Sequence, residues 1–351
     1  MRAAVMRGGR LVVDEVPDPV PGPGQILVRT LACGICGSDL HFLQHAEEMV
    51  RLGAELGQFL SLDLERDIVM GHEFSCEVLE IGPQTQAAVK PGDVVVSVPA
   101  MLPPNFDLSD PSGIEAIGAY SNRYPGGYGE LMLLSSVLAT KVPDGLDFRL
   151  AALTEPMAVG AHAVNRSRIK EGEAALVLGA GPVGLACISA LARKGAEPIV
   201  AADFSAKRRE LARVMGAHEV VDPRSEPAIE AWRRLDGTKS LVIFEAVGVP
   251  GMIDQAMRDA PRFARVLVVG ACMERDSIRP LIGIGKELEI SFALGYDPFE
   301  FVQTLHAIAS GEIDVRPMIT GTVGIDGVPG AFATLAQPDE HCKILVEPAT
   351  G

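Results

Sequence analysis

The spacing of apolar and polar positions divides the chain into two textures. In the first part, up to about residue 150, short apolar runs such as GlnIleLeuValArgThr (25–30) and AspValValValSerVal (93–98) sit between turn clusters. Pro21-Gly22-Pro23-Gly24 and Pro91-Gly92 are two such clusters. Runs of this length bounded by Gly and Pro predict β-strands. Residues 44–62 break the pattern, because Met49, Leu52, Leu56, Phe59 and Leu60 recur at helical spacing. They predict an amphipathic helix inserted between sheet elements, with one face on the sheet. A sharper hypothesis is that this helix shapes the entrance to a binding site, so trimming it would change ligand preference.

From about residue 172 strands and helices alternate. AlaAlaLeuValLeu (174–178) precedes a helical pattern to Lys194, and ProIleValAlaAla (198–202) precedes another to Met215. Further strands are expected at LeuValIlePheGlu (241–245) and ArgValLeuValVal (265–269). Such alternation predicts a doubly wound parallel sheet, hence an α/β domain beside a β-rich one. A helix over Pro298 to Ser310 and a closing strand at 343–347 complete the reading.

Composition narrows the picture. A chain of 351 residues is too long for one ordinary core and implies two domains. Lys and Arg total 31 against 46 Asp and Glu, a formal charge of −15, which argues against nucleic-acid and anionic-membrane partners. Ala174 to Ala192 is uncharged and long enough to cross a bilayer, but Gly179, Gly181, Pro182 and Gly184 would break a spanning helix. A strand, a tight turn and a buried helix account for it better. The first residues lack an apolar stretch suited to a signal peptide, and six scattered cysteines do not suggest a disulfide framework. A cytoplasmic protein is expected.

Gly179-Ala180-Gly181-Pro182-Val183-Gly184 fits G-x-G-x-x-G between a strand and a helix, the context that makes the pattern informative. Gly179 permits the turn, Gly181 lets amides approach a pyrophosphate, and Gly184 allows close packing. The helix start opened by Pro182 and Val183 offers partial positive charge to phosphates. Asp203, 19 residues after Gly184, can accept hydrogen bonds from ribose hydroxyls and would repel a 2′-phosphate, so NAD is expected rather than NADP. Arg208 either contacts the same ribose or is an exposed helix arginine.

Cys36, His72-Glu73 and Glu155 offer thiolate, imidazole and carboxylate, the donors that zinc accepts. Taken singly, each is also explained as a buried cysteine, a core histidine or a capping glutamate. Together, CysGlySerAspLeuHis (36–41), GlyHisGluPhe (71–74), ThrGluPro (154–156) and the glycine motif resemble, in order and setting, the zinc-containing medium-chain dehydrogenases/reductases. With a glutamate in the third ligand position, the chain looks most like the sorbitol, butanediol and threonine dehydrogenase branch.

That resemblance implies a GroES-like catalytic domain (residues 1–154 and 294–351) with a Rossmann domain (155–293) inserted. It implies zinc on Cys36, His72 and either Glu73 or Glu155, with Asp39 behind His72 as its orienter. It also implies a proton relay through Ser38 and His41. The activity implied is NAD(H)-linked oxidation of an alcohol, diol or polyol to a carbonyl, with a small-molecule substrate and a dimer or tetramer as the assembly. Many relatives carry four closely spaced cysteines for a second, structural zinc. Residues 97–127 hold no cysteine, so one zinc per subunit is expected. Cys33 forms a CxxC with Cys36 but reads as a buried strand residue. Tyr120, Tyr128 and Phe299 are candidates to line a pocket, with nothing to separate them from structural aromatics. A zinc-free NADPH-dependent quinone or enone reductase, and a non-catalytic dinucleotide-binding protein, are the rival readings.

Overall fold

The computed structural model describes every residue except 57–61, 104–105, 108–112, 119–120, 338–340 and 351. The chain forms two compact units. Met1–Glu155 joins Ile319–Gln337 and Lys343–Gly351 in one, and Pro156–Met318 makes up most of the other.

The first unit is built on a seven-stranded sheet. Its path runs Ala139–Lys141, Val94–Ser97, Glu73–Ile81, Gln25–Gly34, Lys343–Val346 and Ile319–Val323, and Leu131–Ser135 also pairs with Gln25–Gly34. The expected strands at 25–30, 93–98 and 343–347 are all in it, shifted by a few residues at their ends. Gly34 pairs with Glu73 on one side and with Leu345 on the other, so three strands distant in sequence meet there. A β-carbon on Gly34 would lie 2.0 Å from a Glu73 oxygen, so any side chain there would push the Glu73 carboxylate aside.

The inserted helix begins earlier than its hydrophobic spacing indicates. It spans Gly37–Glu55, with non-helical angles at His45, and residues 57–61 of the expected stretch lie outside the described residues. Asp39 explains the early start: one of its oxygens accepts a hydrogen bond from the Cys36 amide at 3.0 Å and so caps the helix N-terminus. The cysteine-free region contributes a small hairpin, Ala100–Met101 against Glu115–Ala116. Near it, the Asn122 side chain ties to the backbone of Asp63 through bonds of 2.7 and 2.9 Å.

The second unit holds a parallel six-stranded sheet in the order Glu219–Val221, Ile199–Ala202, Ala174–Leu178, Leu241–Glu245, Arg265–Val268, Glu289–Phe292. Numbered along the sequence this is 3-2-1-4-5-6, the doubly wound Rossmann arrangement. Its order reverses between Ala174–Leu178 and Leu241–Glu245, where ligands of such sheets bind. All five residues of Ala174–Leu178 are buried, as is most of the helix Pro182–Arg193 that follows. Among the described residues no helix is long and apolar enough to cross a membrane.

One boundary differs from the sequence expectation. Residues 294–318 group with the Rossmann unit, not with the catalytic one. Glu300 supplies a reason: on the helix Pro298–Ala309, its carboxylate lies 2.7 Å from His162 Nδ1 and accepts from the Asn165 amide at 2.7 Å. Both partners belong to the helix Thr154–Arg166.

Candidate metal and cofactor sites

Cys36, at the helix N-cap, and His72 and Glu73, at the start of a sheet strand, bring one donor atom each within 4.8 Å of one another. Glu155 lies in the first turn of Thr154–Arg166 and is not part of that group. Gly71, at φ +102, sets His72 in place, and a β-carbon there would meet the Tyr128 ring at 2.8 Å.

Asp39 is fully buried beside this cluster. Its Oδ1 faces His72 Nδ1 at 3.4 Å, and neither atom has a closer partner. Its Oδ2 accepts from the Cys36 amide and from the Tyr128 hydroxyl, the latter at 2.7 Å. Imidazole Nε2 is left on the opposite side of the ring, 3.5 Å from the Ser38 hydroxyl. Burial pushes His72 toward the neutral form, but the charges and hydrogen bonds of Asp39 and Cys36 outweigh it and hold the group well above its ordinary value. A cation at Nε2 would replace that proton and use the same negative surroundings. Thiolate, imidazole and carboxylate, with a buried carboxylate behind the imidazole, are the donor chemistry and the support that a zinc ion takes. The residues therefore fit the metal that the sequence implies.

Glu73 carries a second relationship. The Lys343 Nζ lies 2.6 Å from both of its carboxylate oxygens and donates to the Ile35 carbonyl at 3.0 Å. Each carboxylate oxygen has two lone pairs, so this engagement leaves acceptor positions on Glu73 for a metal. Lys343 also relieves the cost of burying the acid.

His41 lies on the same helix as Ser38 and Asp39 and is half-buried. Burial, helped by the neighbouring His45, lowers its affinity for a proton below the ordinary value. Cys33 is fully buried in its strand, and burial pushes its thiol well above the usual range, as suits a packing residue. Tyr128, one of three aromatic candidates for the pocket, is instead sealed behind the metal cluster. Phe299 is exposed, and Tyr120 lies outside the described residues.

In the second unit Gly179 turns at φ +89, and a β-carbon on Gly184 would lie 1.9 Å from the Gly179 carbonyl oxygen. Gly181 caps the helix Pro182–Arg193, whose first turn carries no acid to oppose an anion. Asp203 accepts from the Ala180 amide at 2.9 Å and from the Ser205 amide at 2.8 Å, fixing its carboxylate at the end of its strand. Arg208 Nη1 stands 3.9 Å from the same carboxylate, with its side chain largely covered. These residues line a cleft of about 570 Å³ whose other walls include Pro223, Val247 and Gln255. Glu245, almost wholly buried, shapes the neighbouring turn by accepting from the Val247 and Gly248 amides at 2.7 and 2.9 Å.

The roles of Lys343, Tyr128 and Glu245 do not follow from local motifs. Lys343 leaves one trace, a charged residue opening an apolar strand; Tyr128 leaves only its place after a glycine pair.

Residues 22–144 match the family model of the alcohol dehydrogenase GroES-like domain, and residues 182–310 match that of the zinc-binding dehydrogenases. The chain is 30% identical to a (R,R)-butanediol dehydrogenase of Bacillus subtilis (strain 168), with 96% of each chain covered. It is 28% identical to a sorbitol dehydrogenase of Bos taurus, covering 93% of this chain and 90% of that one. Among solved structures, one from Sinorhizobium meliloti 1021, assigned as a zinc-binding dehydrogenase and bound to NADP, superposes with a TM-score of 0.84. It is 27% identical, with 99% of each chain covered.

Proposed function

The chain belongs to the zinc-type medium-chain alcohol dehydrogenase family, and on that premise we propose that it oxidises a small alcohol, diol or polyol reversibly, with NAD and one zinc ion per subunit. The observation that carries this reading is the gathering of Cys36, His72 and Glu73 with Asp39 behind the imidazole. That complete donor set favours it over a zinc-free reductase and over a retired, non-catalytic binder. When bound, zinc supplies Lewis acidity to a substrate oxygen and the dinucleotide supplies a hydride acceptor.

The chain's own residues do the rest. Cys36 and His72 hold the ion, Glu73 completes the set from its place in the cluster, and Glu155 is the carboxylate that can exchange with it. Asp39 fixes the tautomer and direction of His72. Ser38 takes the substrate proton, and His41, whose burial keeps it a proton acceptor over a wider pH range, passes it to water. The start of helix Pro182–Arg193 holds the pyrophosphate, and Asp203 holds the ribose hydroxyls. NAD is favoured over NADP because the Asp203 carboxylate would repel a 2′-phosphate, with Arg208 standing 3.9 Å from that carboxylate.

A homo-oligomer, dimer or tetramer, is part of this proposal. Strand Glu289–Phe292 ends its sheet, and Phe292, Leu294, Leu281 and Ile284 on and beside it are exposed apolar side chains. Such an open edge is a ready pairing surface. Six free cysteines support a cytoplasmic setting.

The deciding experiment is NADH formation by zinc-replete protein over primary and secondary alcohols, diols and polyols, with metal analysis of the same sample. Turnover of one class by protein holding one zinc per chain supports the proposal. Full turnover by zinc-stripped protein, or silence across the panel with zinc bound, overturns it.

A further inference from the structure

Tyr128 is sealed from solvent, and its hydroxyl has a buried partner. The hydroxyl donates to Asp39 Oδ2 at 2.7 Å, with the Gly34 carbonyl 3.4 Å away. The backbone leading into it is fastened to the segment that delivers His72: the Gly126, Gly127 and Tyr128 amides donate to the Val69, Gly71 and Met70 carbonyls at 2.8, 2.8 and 3.0 Å. The ring is wedged edge-on against Phe332, with centroids 5.9 Å apart and planes at 87°. A phenol held this firmly has a fixed direction of donation.

The consequence falls on Asp39. A carboxylate can turn about its last bond and trade one oxygen for the other. Here the Oδ2 side is committed to two donors, the Cys36 amide at 3.0 Å and the Tyr128 hydroxyl. Oδ1 then remains as the oxygen facing His72 Nδ1. The geometry points to Tyr128 as a positioning residue of the metal site: by holding Asp39 it directs His72 Nε2, and with it one metal bond, although it touches neither metal nor substrate. This inference rests on the proposal that Cys36 and His72 hold zinc. It adds that the site is organised by a chain of Tyr128, Asp39 and His72, in which the tyrosine hydroxyl is the part that matters.

Tyr128→Phe removes that hydroxyl and keeps the ring in its packing against Phe332. The test compares wild type, Y128F, D39N and the double variant. Zinc affinity is read by chelator competition, the ligand field by the absorption of cobalt-substituted protein, and packing by thermal unfolding; NAD binding serves as the control. The expected result for Y128F is zinc affinity weakened about tenfold, within the range for lost outer partners of a ligating histidine. A changed cobalt spectrum should accompany it, with NAD affinity intact. In the D39N background the same change should cost little more, because the tyrosine acts through the aspartate. Equal zinc affinity and an unchanged cobalt spectrum in Y128F overturn the inference while leaving the metal assignment in place. So do losses that add fully in the double variant, which would make Tyr128 a packing residue. Wild-type protein that takes up no zinc overturns the metal assignment itself, and this inference with it. Failure of Y128F to fold while D39N folds also overturns it, since the hydroxyl would then be serving the fold.

Discussion

The ammonium of Lys343 lies 2.6 Å from each carboxylate oxygen of Glu73, and both side chains are sealed from solvent. Truncating one member of such a pair leaves a buried charge without compensation, whereas neutralising both removes the problem. Lys343→Met should therefore destabilise the protein by about 3–5 kcal/mol, and adding Glu73→Gln should restore much of the loss. Chemical denaturation in the presence of a chelator separates this from metal affinity. Equal stability of wild type and K343M would mean that the pair contributes nothing to the fold.

The relay makes a prediction in pH. His41 is held below its ordinary proton affinity by burial and by His45, so it stays neutral and able to accept a proton as the solution is acidified. Its contribution should matter most at low pH, where external base is scarce. His41→Ala should slow kcat most there and least in alkaline solution. A wild-type to variant ratio that stays flat across pH would remove His41 from the relay.

Cofactor choice is expected to turn on Asp203. Asp203→Asn keeps an acceptor for one of the Ala180 and Ser205 amides, which donate to different carboxylate oxygens, while removing the charge that would meet a 2′-phosphate. The ratio of kcat/KM for NAD over NADP should fall about tenfold, the equivalent of about 1.4 kcal/mol. Because Arg208 stands beside the same carboxylate, it would become available to the phosphate. An unchanged ratio would place the discrimination elsewhere.

The open sheet edge yields a test of assembly. Leu281→Glu together with Phe292→Lys places charge on two exposed apolar positions and leaves the metal and cofactor residues untouched. Light scattering should show a smaller particle than wild type. An oligomer of undiminished size would mean that this edge is not the contact.

What the sequence revealed and what it concealed have a common physical basis. The Rossmann strands, the turn from Gly179 to Gly184 and the position of Asp203 at a strand end are legible because strand, turn and helix are neighbours in the chain. Cys36 and His72 were legible through short motifs with a helix start and a strand start beside them. Lys343 with Glu73 and Tyr128 with Asp39 were not, because 270 and 89 residues separate the partners and only the sheet brings them together. The pattern predicts the helix at 298–309, but not the contacts of Glu300 with His162 and Asn165 that tie it to the Rossmann unit, which no periodicity encodes. Hydrophobic spacing places the helix after Cys36 too late in the chain because it locates a face, whereas Asp39 locates a beginning.

Synthesis gives the Lys343–Glu73 pair a history. The ribosome releases the acid 270 residues before the base that neutralises it. At about 5–20 residues per second, the interval lasts on the order of tens of seconds. Throughout it Glu73 lacks the ammonium that neutralises it in the finished sheet. The strand Lys343–Val346 brings that ammonium to Glu73 only once it joins the sheet. Nascent chains halted short of residue 343 should accordingly surrender metal to a chelator faster than finished ones do.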